Sequence, residues 1–270
     1  MNIIKNKSST SQKPMYKVEV KAYLCSIEID VNDIPCFSYF DEPQIATDIP
    51  VNNLIFSSGE QKIKLRISPL FNNKTLHKDS KIELNVFVKD ANDFYLKKEV
   101  VNSYVSKESF ENKSFYEKTL NFPASIPYTL DIGKITYDYT NEDKDLLFSE
   151  VYDQYKALSD YIINNDLKSY NDFTNIRFND TITSHYLNEN KKIYYLNKAL
   201  FSYNEYNLKL IPKEEYVLKS CFNNRLVYLE KLNNSQGLVL EDKSSKDEGL
   251  HFIESAIFFR NKQGKLTLFR

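Results

Sequence analysis

The 270-residue chain is 41% hydrophobic and 27% charged, a balance that supports a packed core and excludes general disorder. Thirty-six Lys and Arg face 37 Asp and Glu. The residues up to Asp138 carry 18 of each sign, so neither half supplies the net basic field of a nucleic-acid binder. No run reaches the roughly 18 to 20 apolar residues of a membrane span.

In chain order, "MNIIKNKSSTSQKP" has no apolar h-region. It reads as a disordered polar lead-in over 1–14, which makes the chain cytoplasmic as written, or periplasmic or surface-bound if a signal has been removed. Residues 15–138 read as an antiparallel β-sandwich of about eight strands. "QKIKLRI" turns Ile63, Leu65 and Ile67 to one face and Lys62, Lys64 and Arg66 to the other, and "KIELNVFVK" turns Ile82, Leu84, Val86 and Val88 inward. Further strands are expected over 94–105, 113–122 and 126–138. Asn32-Asp33 suits a two-residue type I′ turn that pairs Val31 with Ile34, Ile29 with Cys36 and Cys25 with Phe40. "KVEVKAYL" points Val18, Val20, Ala22 and Leu24 inward, whereas Cys25 and Ile27 take the opposite parity. A bulge near Leu24-Cys25 would reconcile the two runs. In that register Cys25 and Cys36 are too far apart for a disulfide. With Cys221 making an odd count and no ligand spacing present, the thiols read as small hydrophobes.

At residue 139 the pattern changes, and 139–270 reads as an α+β domain. Leu147, Val151, Tyr155, Leu158 and Ile162 recur at helical spacing behind a capping box of Thr140 with Asp143. Second and third helices are expected over 170–187 and 189–202, with Ile193, Leu196, Leu200 and Tyr203 on one face. From 207 onward "NLKLIP", "EYVLKSCF", "RLVYLEKL", "GLVLED", "LHFIESAIFF" and "KLTLFR" read as a curved antiparallel meander covered on one face by the helices. Asn223-Asn224 is expected as a two-residue turn and "NKQG" as a longer one.

No motif names an activity. His77, His185 and His251 fall in a loop, a helix and a strand. Ser184 beside His185 is not expected to form a Ser–His pair, because neighbours on a helix point apart. Asp180 lies about a turn before His185. There is no phosphate-cradling glycine pattern, EF-hand loop, HExxH or GxSxG. The expectation is therefore no catalytic residue, no metal and no cofactor. The positive signal is aromatic. The chain holds 20 Tyr and 18 Phe with no Trp, and "KKIYYLNKALFSYNEYN" crowds Tyr194, Tyr195, Phe201, Tyr203 and Tyr206 around the third helix. One face cannot bury them all, so Tyr195 and Tyr206 are expected to be exposed or to line a cavity. These five are the candidate binding residues.

"IEIDVNDIP" followed by "PVNNLIFSSGEQKIKLRISPL" resembles the opening of bacterial galactose-binding-like or Ig-like β-sandwich modules. The order of helices then meander, closing on "AIFFRNKQGKLTLFR", is similar to the NTF2-like (cystatin-like) cone. The resemblance implies a two-domain bacterial protein of the kind found among immunity and accessory proteins of contact-dependent toxin systems such as type VI secretion. It therefore implies a non-enzymatic protein whose partner is another protein, a toxin or effector. NTF2-like enzymes carry an acid–base pair in the cone, and no residue here matches one. Two alternatives stand beside this reading: a small-molecule or enzymatic site in the cone pocket, and a carbohydrate-binding accessory role for the sandwich.

Overall fold

The computed structural model describes residues 13–71, 73–92, 98–200, 203, 205–232, 237–244 and 251–270. The expected lead-in over 1–12 lies outside them. β1 (Pro14–Tyr23), β2 (Ser26–Val31), β3 (Ile34–Tyr39), β4 (Gln44–Pro50), β5 (Gly59–Ser68), β6 (Lys81–Asp90), β7 (Glu99–Val105) and β8 (Tyr116–Ala124) form two antiparallel sheets. Their orders are β4-β1-β6-β7 and β3-β2-β5-β8. Alternation decides which side chains fill the space between them: Val18, Val20 and Ala22 on β1, Ile27 and Ile29 on β2, Ile63, Leu65 and Ile67 on β5 are all buried. Residues 126–138, expected as a strand, instead run as irregular chain, pinned by Leu130 N donating to Phe56 O at 2.9 Å.

The parity change near Cys25 has a different origin from the expected bulge. Leu24 adopts φ +54° and the chain crosses there from one sheet to the other. The bulge lies inside the β2–β3 hairpin, where Asp30 pairs with Pro35 but Ile29 pairs with Phe37, leaving Cys36 as the extra residue. The turn itself is as read, with Asn32 and Asp33 at φ +52° and +62°. All three cysteines are free thiols.

After a connection over 125–143 come α1 (Lys144–Ile163), α2 (Leu167–Phe173), α3 (Asn175–Ser184) and α4 (Glu189–Lys198). Asp143 caps α1 through the Asp145 and Leu146 amides, while Thr140 bonds Asp138 instead of sharing in a capping box. The helix expected over 170–187 is two helices. Thr174, at ψ 6°, breaks them apart, and its hydroxyl bonds back to Tyr170 O at 2.8 Å.

The remaining strands are β9 (Leu208–Leu210), β10 (Tyr216–Cys221), β11 (Leu226–Lys231), β12 (Leu238–Asp242), β13 (His251–Glu254), β14 (Phe258–Arg260) and β15 (Leu266–Leu268). They make two small sheets, β10-β11-β14-β15 and β13-β12-β9, in place of one curved sheet. The run "LHFIESAIFF" is divided between β13 and β14. The Asn223-Asn224 hairpin has a four-residue connection, since Cys221 pairs with Leu226.

The sheet β10-β11-β14-β15 is covered on both faces. Val227, Leu229, Phe258 and Leu268 join α1 residues Leu147, Val151, Tyr155 and Leu158 in one core. Their neighbours Leu226, Tyr228, Ile257, Phe259 and Phe269 join the core of the sandwich. The two parts therefore share apolar packing rather than standing on separate cores. The space between α1 and this sheet is filled, and Tyr155 is fully buried there with its hydroxyl between the Leu229 and Ala256 carbonyls at 3.1 and 3.0 Å.

Polar contacts fasten the same junction. Asn52 accepts from Tyr16 N at 2.6 Å and donates to Pro14 O at 2.8 Å and Ser184 O at 3.0 Å. Arg270 bonds Asp180 on α3 and Asn53 O, both at 2.7 Å. Among the described residues no helix is long and apolar enough to cross a membrane.

Candidate functional site: the groove between α3 and α4

A groove of about 510 Å³ opens between α2–α3, α4 and the end of β13. Its apolar walls include Phe178, Ile182 and Leu187, and Tyr195 and Ala199 face them from the α4 side. At its floor lies a half-buried ion pair, its side chains 17% and 15% exposed. Arg177 bonds Glu254 through Nη2, and its Nη1 donates to Ser255 O at 2.5 Å. The Tyr170 hydroxyl donates to Glu254 Oε1 at 2.8 Å, and that of Tyr203 to Oε2 at 3.1 Å. Both carboxylate oxygens and both terminal guanidinium nitrogens are thus engaged. Burial opposes the charge on Arg177, but Glu254 and the tyrosines outweigh it and hold its pKa above the ordinary range. Burial pushes the Tyr170 and Tyr203 hydroxyls upward, with Glu254 reinforcing the shift.

Glu254 reaches this position because the backbone approaches closely at the start of β12. Gly237 sits at φ +103°, and a Cβ there would lie 2.4 Å from Glu254 O. Only glycine allows β12 to pair Leu238 with Glu254 at this separation.

Ser184 and His185 correct the expectation that they could not meet. Ser184 Oγ lies 3.0 Å from His185 Nδ1. His185 has left the helix as its C-cap, at φ −98° and ψ 6°, which turns its ring back over the last turn. Nδ1 is also 3.2 Å from Thr181 O, and a carbonyl can only accept, so Nδ1 carries the proton. The Ser184 side chain is fully buried, so its hydroxyl is closed to a substrate. Burial lowers the His185 pKa, partly offset by the Thr181 carbonyl. Asp180 is committed to Arg270, not to the imidazole.

The five aromatic candidates separate into distinct environments. Tyr195 lines the groove and is 48% exposed. Tyr203 helps close the floor through Glu254. Tyr206 packs its ring 4.5 Å from that of Phe252. Tyr194 is 60% exposed, with its ring 5.7 Å from that of Tyr195. Phe201 lies outside the described residues. Ile193, expected to face inward, is 54% exposed, and no residue of α4 is buried. The helix is tied to α2 by Asn171 Nδ2 donating to Leu196 O at 3.3 Å.

Sequence reasoning missed Arg177, Glu254 and Tyr170. Arg177 and Glu254 are 77 residues apart, on a helix and a strand end, so no spacing rule connects them. Among the described residues no three His, Cys, Asp or Glu side chains come together as a metal site. No family model, no curated protein and no solved structure matches this chain.

Proposed function

We propose that this chain is a non-enzymatic binding protein that takes hold of another protein along α4 and the adjoining groove. The observation that carries the reading is that α4 buries none of its side chains and displays Ile193, Tyr194 and Tyr195 beside a preformed groove. Exposed aromatics next to a concave apolar wall are the usual anchors of a protein interface, and Tyr gives large contact area at small entropy cost. The polar groups at the floor are spent on one another, which supports a recognition surface over a reacting centre. α4 carries three lysines against one glutamate, which favours an acidic face on the partner. The architectural resemblance to a sandwich followed by an NTF2-like unit adds the finer reading that the partner is a secreted toxin and this chain its immunity protein.

The test compares immobilised wild-type protein with an I193S/Y194S/Y195S variant in extract of the native cells. A protein retained by the first and lost by the second is then purified and titrated by calorimetry. The expected result is at least about a tenfold weakening in the variant. Equal retention by both forms overturns the reading. A second reading, a small apolar ligand in the groove, is favoured by a volume within the ordinary range of ligand sites. It predicts a co-purifying compound that native mass spectrometry detects and that a Tyr195→Ala substitution releases.

A further inference from the structure

Three of the four sheet edges of the sandwich are guarded against a further strand. β3 carries Pro35 and the bulge at Cys36, and Phe222 N donates to Asp33 O at 3.2 Å, which sets the β10–β11 connection on its turn. β7 is kinked where Val101 stands unpaired between Val100 and Asn102. The Asn102 side chain donates to Asn121 O of β8 at 2.6 Å, and β8 holds Pro123 near its end. β4 is different. It pairs with β1 without a break from Gln44 to Pro50, and its proline is its last residue.

The bonds at the two ends of β4 decide which backbone groups it leaves free. Leu24 N donates to Pro43 O at 2.7 Å, and Val51 N donates to Tyr16 O at 3.1 Å. Bonded residues alternate along an antiparallel ladder. Ile45, Thr47 and Ile49 therefore turn their N–H and C=O groups to β1, and Gln44, Ala46 and Asp48 turn theirs outward. Among the described residues no further strand or loop bonds to those three. Their side chains are exposed, and those of Ile45 and Thr47 are half-buried. Free N–H and C=O groups two residues apart are the template for an added strand, and β4 has neither a lysine nor a bulge to refuse one.

The side chains along the strand select its occupant. An antiparallel neighbour related by a twofold axis through Ala46 sets Ala46 against Ala46, Gln44 against Asp48 and Ile45 against Thr47. The smallest side chain of β4 then lies on the axis. Asp48 has no ion pair among the described residues. Glu19 lies directly opposite it on β1, and Glu19 is itself taken by Lys98 at 3.0 Å and by Asn85. Gln44 of a second copy supplies the amide donors that Asp48 lacks. On the inner side Ile45 and Thr47 cover one another, and no charge meets its like across the new ladder. The strand is thus complementary to its own reverse, a match that a foreign strand has no reason to reproduce. We infer that β4 is the edge through which two copies of the chain pair, joining two four-stranded sheets into one.

Sedimentation velocity of the full chain, from about 1 to about 100 µM, should show a monomer–dimer equilibrium. At the upper end, hydrogen exchange should find the Gln44, Ala46 and Asp48 amides protected. Ala46→Lys sets two ammonium groups on the axis, beside Lys21 of each copy. It should weaken the dimer at least about tenfold and leave the fold intact by circular dichroism, since Ala46 is exposed. Mixing Ala46→Lys with Ala46→Asp should restore a dimer that contains one of each, which a merely misfolded variant would not do. The I193S/Y194S/Y195S variant should dimerise like the wild type, which separates this inference from the α4 reading. A monomer throughout, a dimer that Ala46→Lys leaves unchanged, or a dimer in which those three amides exchange freely overturns the inference. Protection that arises only when cell extract is added to a monomeric chain would give the edge to a foreign strand and likewise overturn it.

Discussion

Asn52 and Ser184 are 132 residues apart along the chain, yet the Asn52 side-chain amide donates to the Ser184 carbonyl at 3.0 Å. The amide is fully buried and also serves Pro14 and Tyr16, so one side chain joins the first strand of the sandwich to the end of α3.

Asn52→Ala should therefore be costly. It takes the side-chain partner from Tyr16 N and Ser184 O, while Pro14 O keeps the Tyr186 hydroxyl at 3.1 Å. The cost is about 1–3 kcal/mol for each group that water cannot reach. We expect a loss of about 2 kcal/mol or more in urea unfolding. Because the sandwich and the second half share apolar packing, the wild type should unfold in one transition, coincident by tyrosine fluorescence and far-ultraviolet circular dichroism. Two resolved transitions in the wild type would show that the junction does not couple the halves.

The Arg177–Glu254 pair predicts a thermodynamic cycle. Glu254→Gln leaves the guanidinium without its counter-charge and turns an amide donor toward tyrosine hydroxyls that now donate to the carboxylate. A loss of about 2–3 kcal/mol is expected from breaking this half-buried, hydrogen-bonded pair. The double variant Arg177→Met/Glu254→Met should be less destabilised than either single variant, because no lone charge remains. Additive single and double losses in denaturant titrations would refute the coupling.

His185 predicts a pH dependence. Its folded pKa lies below the ordinary value of about 6.5, because burial disfavours the charged ring. Between the two values the unfolded chain binds more protons, so stability rises with pH across that window. The contribution is complete above about pH 6.5 and is lost as pH falls through the folded value. His185→Gln should flatten this part of the melting-temperature profile. A profile that keeps its slope in the variant would assign the effect to another group.

Alternation along β1, β5 and β6 was legible because a period of two has a single solution when one face is buried, and Val18, Leu65 and Leu84 lie where it puts them. The α1 stripe from Leu147 to Ile162 was equally legible at period 3.6. The break at Thr174 was not, because the apolar pattern continues through it and only the backbone conformation marks it. β11 shows the same limit: "LVYL" reads as apolar throughout, and nothing local tells that Leu226 and Tyr228 serve one core while Val227 and Leu229 serve the other. The aromatic cluster around α4 could be read from composition, but the environment of each ring could not.

The sequence by itself determined most of the strands of the sandwich and the helix α1, though not that 126–138 is irregular or that 170–187 divides at Thr174. It also determined that the thiols are not bridged in the first hairpin and that the chain has no strong charge field. These follow from local periodicity, turn chemistry and counting. Only the tertiary structure decided that Arg177 meets Glu254, that Ser184 is sealed beneath Asn52, and that β11 divides its side chains between two cores. Those relationships depend on strand register and on which faces pack together. Such choices are fixed by contacts between residues tens of positions apart, which no local pattern records.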